Sequence, residues 1–279
     1  MPRIIKSNVN YIGSYGHLFS RLSELKELKN EEALDILFIG SSPTYRGFDP
    51  RIFSDHGLKT FNLGSTAQTP IQTNILLKRY LKNLNPKTVI IEVNPVAFEI
   101  DGVESSVDII ANDKNDLHSL KMALKLNNIK TYNTLINSFI CDLLGLNNSF
   151  EELVIRKNDK YVSGGFVEKQ IDYYKPTKIK KKDISINQYQ LESFDKIVKT
   201  LKSKNIEVIL VHVPITKVKY SSYTNISYFD SLMKGYSKYY NFNEIVSLND
   251  SLHFYDQSHL NQNGVVIFNE KLIDVLTEN

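Results

Sequence analysis

The chain has 279 residues, 42% hydrophobic and 23% charged, with a formal net charge of +3. That composition is ordinary for a soluble globular protein with a sizeable core, and the scatter of Lys and Arg along the chain argues against nucleic acid, whose binding leaves a concentrated basic stripe. The single cysteine, Cys141 in Phe139-Ile140-Cys141-Asp142-Leu143-Leu144, excludes a disulfide framework or Cys-based zinc site and reads as a small core residue.

No apolar run reaches the roughly 18 residues of a membrane span. The start, Met1-Pro2-Arg3-Ile4-Ile5-Lys6, has no apolar signal core behind it. A cytoplasmic chain with no membrane span is expected.

The first element is a strand at Asp35-Ile36-Leu37-Phe38-Ile39-Gly40, followed by a weaker strand at Lys59-Thr60-Phe61-Asn62-Leu63. Helical spacing of Ile75, Leu76, Tyr80, Leu81 and Leu84 predicts a helix from Ile71 to Leu84, stopped by Asn85-Pro86. A second clear strand is Thr88-Val89-Ile90-Ile91-Glu92-Val93. Helical patches follow at Leu117 to Leu126 and Thr134 to Leu144, then a polar, turn-rich stretch around Lys157-Asn158-Asp159-Lys160 and Gly164-Gly165. Lys178 to Lys182 is a basic run that reads as a solvated loop or as a contact for an anionic polymer or membrane surface. Gln188 to Lys204 is predicted helical, Glu207-Val208-Ile209-Leu210-Val211-His212-Val213 is the third clear strand, and a weaker strand is expected at Asn243 to Ser247. The tyrosines from Tyr220 to Tyr240 suit packing on a core or helix surface, or stacking on sugars. The last helix runs from Gly264 to Leu276.

The clear strands are continuous apolar runs rich in β-branched residues, as in strands covered on both faces. Their alternation with helices predicts a parallel sheet. The expected fold is one α/β domain over 1–279, a flavodoxin-like three-layer sandwich, with an inserted helical and irregular segment at about 101–185 that could shape the ligand edge.

In such a sheet, ligands bind beyond the carboxyl ends of the strands. The segments leaving those ends are Gly40-Ser41-Ser42-Pro43, Asn62-Leu63-Gly64-Ser65, Asn94-Pro95 and Pro214-Ile215-Thr216, while Asp256-Gln-Ser-His259 arrives before the last helix. A hydroxyl, backbone donors, an amide and an imidazole with a nearby carboxylate are the parts of a serine acyl-transfer site. Each has a structural alternative. Ser42-Pro43 is also a good helix start, Gly64 a turn residue and Asn94 a strand-terminating turn residue. His253, Asp256 and His259 could be metal ligands, though no further ligand cluster supports that. His212, inside a strand, reads as a satisfied core histidine. No phosphate-binding loop, dinucleotide fingerprint or Gly-x-Ser-x-Gly elbow is present, so no cofactor is expected.

Gly40-Ser41-Ser42, Gly64, Asn94 and Asp256-x-x-His259, in that order, resemble the SGNH hydrolase superfamily of GDSL-type esterases, over most of the chain apart from the insertion. The resemblance implies Ser42 as nucleophile, Ser42, Gly64 and Asn94 as oxyanion donors, Asp256 as orienting carboxylate and His259 as base. Two features depart from it: Ser41 stands where the family usually has Asp, and the third block reads Val93-Asn94-Pro95-Val96. Gly-Ser-Ser is similar to the branch of D-alanyl-lipoteichoic acid biosynthesis and alginate O-acetylation proteins. That implies a serine esterase acting on O-acyl esters, such as acetyl esters, of a saccharide or glycan. The alternatives are a glycan O-acyltransferase with the same triad, for which a membrane-bound partner could supply the acyl donor, and a non-catalytic glycan-binding protein on the same scaffold.

Overall fold

The computed structural model describes residues 15–28, 33–146 and 150–278. The stretch from Met1 to Lys6, read above for a signal, lies outside them. The central sheet has five parallel strands: β1 (Ile36–Ile39), β2 (Thr60–Asn62), β3 (Thr88–Glu92) and, after a smaller sheet, β7 (Glu207–His212) and β8 (Lys238–Asn241). Their spatial order, β2-β1-β3-β7-β8, is the flavodoxin-like order. Register aligns Ile39 with Ile91 and Ile91 with Leu210, so three strands end level and deliver their following residues to one edge.

Alternate residues of each strand enter different cores. Leu37, Ile39, Val89, Ile91 and Leu210 join the helices Pro70–Leu84 and Gln188–Ser203, which pack against each other. Phe38, Ile90, Ile209 and Val211 face Phe48 and the final helix, Gln262–Thr277, through Phe268 and Leu272. Burial on both faces is why these strands read as unbroken apolar runs.

The segment after β3 differs from the expectation in detail. It holds helices Val103–Asn112, Leu117–Leu126 and Ile129–Leu144, then a small antiparallel sheet of β4 (Ile155–Arg156), β5 (Asp159–Val162) and β6 (Phe166–Lys169). The stretch read only as turn-rich is therefore two hairpins. Its second turn docks on the edge of β2, where Asn62 N–H donates to Gly164 O at 2.8 Å. Gly165, with φ of 89°, meets the chain so closely that a Cβ there would lie 2.1 Å from Asn62 O. Only glycine fits.

The strand expected at Asn243 to Ser247 is displaced. β8 lies at Lys238–Asn241, and Phe242–Ile245 is a short helix. Asn241 caps that helix by accepting Asn243 N–H at 3.1 Å, so the chain leaves the strand before Ile245, and Val246 packs on the core that holds Phe268. Among the described residues, no helix is long and apolar enough to cross a membrane.

Candidate active site

Past Ile39 the chain must turn sharply over β3. At Gly40 a Cβ would stand 2.5 Å from Thr44 Oγ1 and 2.7 Å from Glu92 Cβ, so the close approach requires glycine. The helix Ser42–Gly47 then begins, with Pro43 in its first turn. Ser41 holds the cap position but makes no side-chain cap bond; its hydroxyl donates instead to Glu92 Oε2 at 2.9 Å. The helix-start reading of Ser42 thus covers only its backbone, because its hydroxyl is engaged elsewhere.

Ser42 Oγ lies 2.8 Å from His259 Nε2, across 217 positions of sequence. His259 Nδ1 faces Asp256 at 2.8 Å to Oδ2 and 3.0 Å to Oδ1. The Asp256–His259 loop is self-ordered: Asp256 Oδ1 also accepts the N–H groups of Ser258 at 2.7 Å and His259 at 2.9 Å. The loop is closed at its base, where Asn261 N–H donates to His253 O at 3.0 Å before the helix starts. Burial alone would push the Asp256 carboxyl up; bonds from the His259 ring and the two backbone N–H groups outweigh it and hold it below the usual carboxylate value. Asp256 is therefore an anion near neutral pH, and an Nδ1 proton on His259 directed at it leaves Nε2 free to accept from Ser42. The Tyr255 ring is stacked on the imidazole, with centroids 5.4 Å apart and planes within 5°.

The two other sequence-nominated donors are placed differently. Gly64 N–H is occupied by Asn62 Oδ1 at 3.1 Å, and Gly64 packs on Thr44 and Ser41, where a Cβ would lie 2.7 Å from Thr44 Cβ. Asn94 reaches the pocket wall, but its amide nitrogen donates to Ser41 Oγ at 2.9 Å and Glu92 Oε1 at 2.7 Å, while its oxygen caps the helix Pro95–Glu99 by accepting Ala97 N–H. Both amide protons are thus taken. The backbone turn after β2 instead brings Ala67 to the pocket, in the left-handed conformation with φ of 50°. Among the described residues, neither Ala67 N–H nor Ser42 N–H has a hydrogen-bond acceptor. A left-handed alanine is costly enough to be worth explaining.

Beneath the serine turn lies Glu92, 3% exposed, accepting from Ser41 N–H at 3.0 Å, Ser41 Oγ and Asn94. Burial pushes its carboxyl above the ordinary value, against the pull of these donors. Sequence reasoning passed over it as a strand residue; an acid at the end of an apolar strand was the available signal. His212 is core, as expected, but not satisfied: it is fully buried and, among the described residues, neither ring nitrogen has a partner. Burial, with Lys219 nearby, pushes its pKa down to about 3, so it is neutral. His253 accepts Asn249 N–H at Nδ1, at 2.9 Å, and serves its own turn.

The cavity at Ser42 and His259 has a volume of about 220 Å³, with Pro95, Val96, Ala97, Ile100 and Ile215 among its walls. Lys219 is also on the wall, its ammonium on Ser258 Oγ at 2.6 Å and drawn below its usual pKa by burial. The arrangement places a hydroxyl that can give its proton to an imidazole at the edge of a small, largely apolar space.

No protein-family model matches the chain, and no curated protein matches it. Among solved structures it is similar to an acylhydrolase candidate from Bacteroides fragilis, with 13% identity and a TM-score of 0.48 over 95% of this chain and 97% of that one. It is also similar to a GDSL-like lipase from Bacteroides thetaiotaomicron, with 13% identity and a TM-score of 0.45 over 94% and 98% of the two chains. A candidate lipolytic protein of the G-D-S-L family from Desulfitobacterium hafniense has 12% identity and a TM-score of 0.44, over 86% and 98%. At that distance the likenesses assign no activity to this chain.

Proposed function

We propose that the protein is a serine ester hydrolase acting on short O-acyl esters of a saccharide or glycan, with Ser42, His259 and Asp256 as its triad. The 2.8 Å contact between Ser42 Oγ and His259 Nε2, backed by the Asp256 carboxylate, carries the proposal. As Ser42 Oγ forms its bond to the carbonyl carbon, His259 Nε2 takes the hydroxyl proton and the carbonyl π electrons move to oxygen. Asp256 holds the Nδ1–H and stabilises the imidazolium. Collapse of the tetrahedral species breaks the bond to the alcohol oxygen, which leaves with the proton from Nε2. A water then repeats the sequence in reverse and frees the acid.

Ser42 N–H and Ala67 N–H, unpartnered and on the cavity, are the proposed oxyanion donors, in place of Gly64 and Asn94, whose donors are occupied. Losing one such donor costs roughly 10²–10³ in turnover. The apolar walls near 220 Å³ suit a short acyl chain, and the polar, aromatic cleft beyond Thr66 suits the sugar. With a sugar hydroxyl in place of water the same groups would carry O-acyl transfer, and that cleft is where an acceptor has room. The non-catalytic reading calls for a separated serine and imidazole, and their hydrogen bond weighs against it.

A fluorophosphonate probe tests the reading. One adduct is expected, at Ser42, absent in Ser42→Ala and much slowed in His259→Ala. Wild-type protein that stays unlabelled and fails to cleave p-nitrophenyl acetate, with or without sugar acceptors, would refute it.

A further inference from the structure

We infer that the cleft beside the catalytic cavity binds an anionic part of the ester's alcohol, so that the favoured substrates are esters of acidic saccharides or of other negatively charged alcohols. The inference rests on the hydrolase reading above and adds the class of leaving group. The cleft, about 590 Å³, adjoins the catalytic cavity: Thr66 lines both spaces, and its Oγ1 is bonded at 3.0 Å to Oη of Tyr45, a cleft residue.

Its charge is uneven. Arg46 is neutralised by a two-point pair with Asp159, at 2.8 Å for each bond, and Arg156 pairs with Glu152. Lys157 and Lys169 also line the cleft, and neither has a carboxylate partner among the described residues. Asp159 also lines the cleft and interacts with Lys169, but its carboxylate is already bonded twice by Arg46. Two ammonium groups without an ion pair in one concavity attract an anion more strongly than the same charges spread on a convex surface.

From this cleft a chain of cationic and aromatic contacts leads to the imidazole. The Tyr45 ring has two guanidinium neighbours, that of buried Arg21 at 4.8 Å from its centroid and that of Arg46 at 5.3 Å. Arg46 also stands over Tyr255 at 5.8 Å, and Lys169 Nζ lies 4.9 Å from the same ring, which is stacked on His259. Cations and aromatic faces thus alternate from the core to the imidazole, each contact attractive, and Lys169 is one ring removed from the base.

Two further observations set this cleft apart. Among the described residues, the non-glycine residues with left-handed φ are His17, Ala67, Lys157 and three asparagines. Asparagine and histidine are the side chains that adopt that conformation most readily; Ala67 and Lys157 are not, and they line the adjoining catalytic cavity and this cleft respectively. Among the described residues, His17, a cleft residue only 1% exposed, has no hydrogen-bond partner at either ring nitrogen and sits 3.8 Å from the nearest Glu152 oxygen. A buried donor left unsatisfied at the floor of a cationic cleft suits an acceptor brought by a ligand.

The test compares 4-acetoxybenzoate with its uncharged methyl ester, titrated calorimetrically at low salt into the Ser42→Ala protein, which cannot turn them over by the proposed route. Tighter binding of the anion by about tenfold is expected. The ratio should fall towards one at high salt and on adding Lys157→Asn, which keeps a residue tolerant of left-handed φ, together with Lys169→Met, which keeps an apolar stem over Tyr255. Equal affinities for the two esters, or a ratio unchanged in the folded double-lysine variant, would overturn the inference. Wild-type turnover separates it from the underlying reading: if the anion preference holds but neither ester is cleaved, the hydrolase reading fails and the cleft remains an anion site.

Discussion

Ser41 and Glu92 are bonded twice, the Ser41 hydroxyl donating to Glu92 Oε2 at 2.9 Å and the Ser41 N–H donating to the same oxygen at 3.0 Å. Glu92 belongs to β3 and Ser41 to the turn after β1, so this pair ties the serine-bearing turn to the neighbouring strand. Asn94 completes the network from above. Glu92→Ala would strand three buried donors and is expected to lower stability by about 3 kcal/mol. Glu92→Gln, which clashes with only one of them, should cost about 1 kcal/mol. Urea denaturation of the two variants checks the order; equal costs would mean the network does not hold the turn.

Ala67 pairs an unfavourable backbone conformation with a place on the wall of the cavity at Ser42 and His259. Ala67→Gly should relieve left-handed strain of about 1 kcal/mol, partly offset by the freer unfolded chain, for a net gain of about 0.5 kcal/mol with activity retained. Ala67→Val, strained further at φ above zero, should lose both stability and turnover. A thermal melt with ester turnover measures both, and a stabilising Ala67→Val would contradict the assigned conformation.

The stacked Tyr255 ring covers one face of His259 and shares Arg46 and Lys169 as neighbours. Tyr255→Phe should leave turnover within about twofold, since the ring and not the hydroxyl makes the contact. Tyr255→Leu should lower kcat about tenfold by loosening the imidazole, at a cost of 1.4 kcal/mol per tenfold. Steady-state kinetics decide it, and a Leu variant as active as the Phe variant would remove Tyr255 from any positioning role.

His212 sets an acid limit on stability. Its unfolded-state pKa is near 6.5 and its folded value about 3. Between these the unfolded chain binds a proton that the native state does not, so stability falls as pH falls, by up to about 1.4 kcal/mol per pH unit from this group. Above pH 6.5 the effect vanishes. Replacing it by His212→Leu should flatten the decline between pH 6.5 and 4 without changing it at pH 8. Parallel stability slopes for the two proteins would show that His212 is not buried neutral.

The clear strands and three long helices were legible because continuous apolar runs and helical spacing are local properties of sequence. The helices Pro70–Leu84, Gln188–Ser203 and Gln262–Thr277 lie within two residues of their expected ends. The hairpins of β4 to β6 were not legible: they are short and largely polar, and their second turn is stabilised by docking on β2. The fifth strand was misplaced because the tyrosines of β8 carry weaker apolar contrast than Ile245 and Val246 just after it.

By itself the sequence determined which residue types arrive at the sheet's carboxyl edge, because strand period and chain order decide where each segment ends. It brought Ser42, Asp256 and His259 into consideration, and Gly64 and Asn94 with them. Only the tertiary structure decided which of their polar groups are free, since a hydrogen bond made to Asn62, Glu92 or Ser41 consumes a donor that no motif can mark as spent. The same holds for the left-handed conformation of Ala67 on the cavity wall, which no residue type in that segment marks in advance.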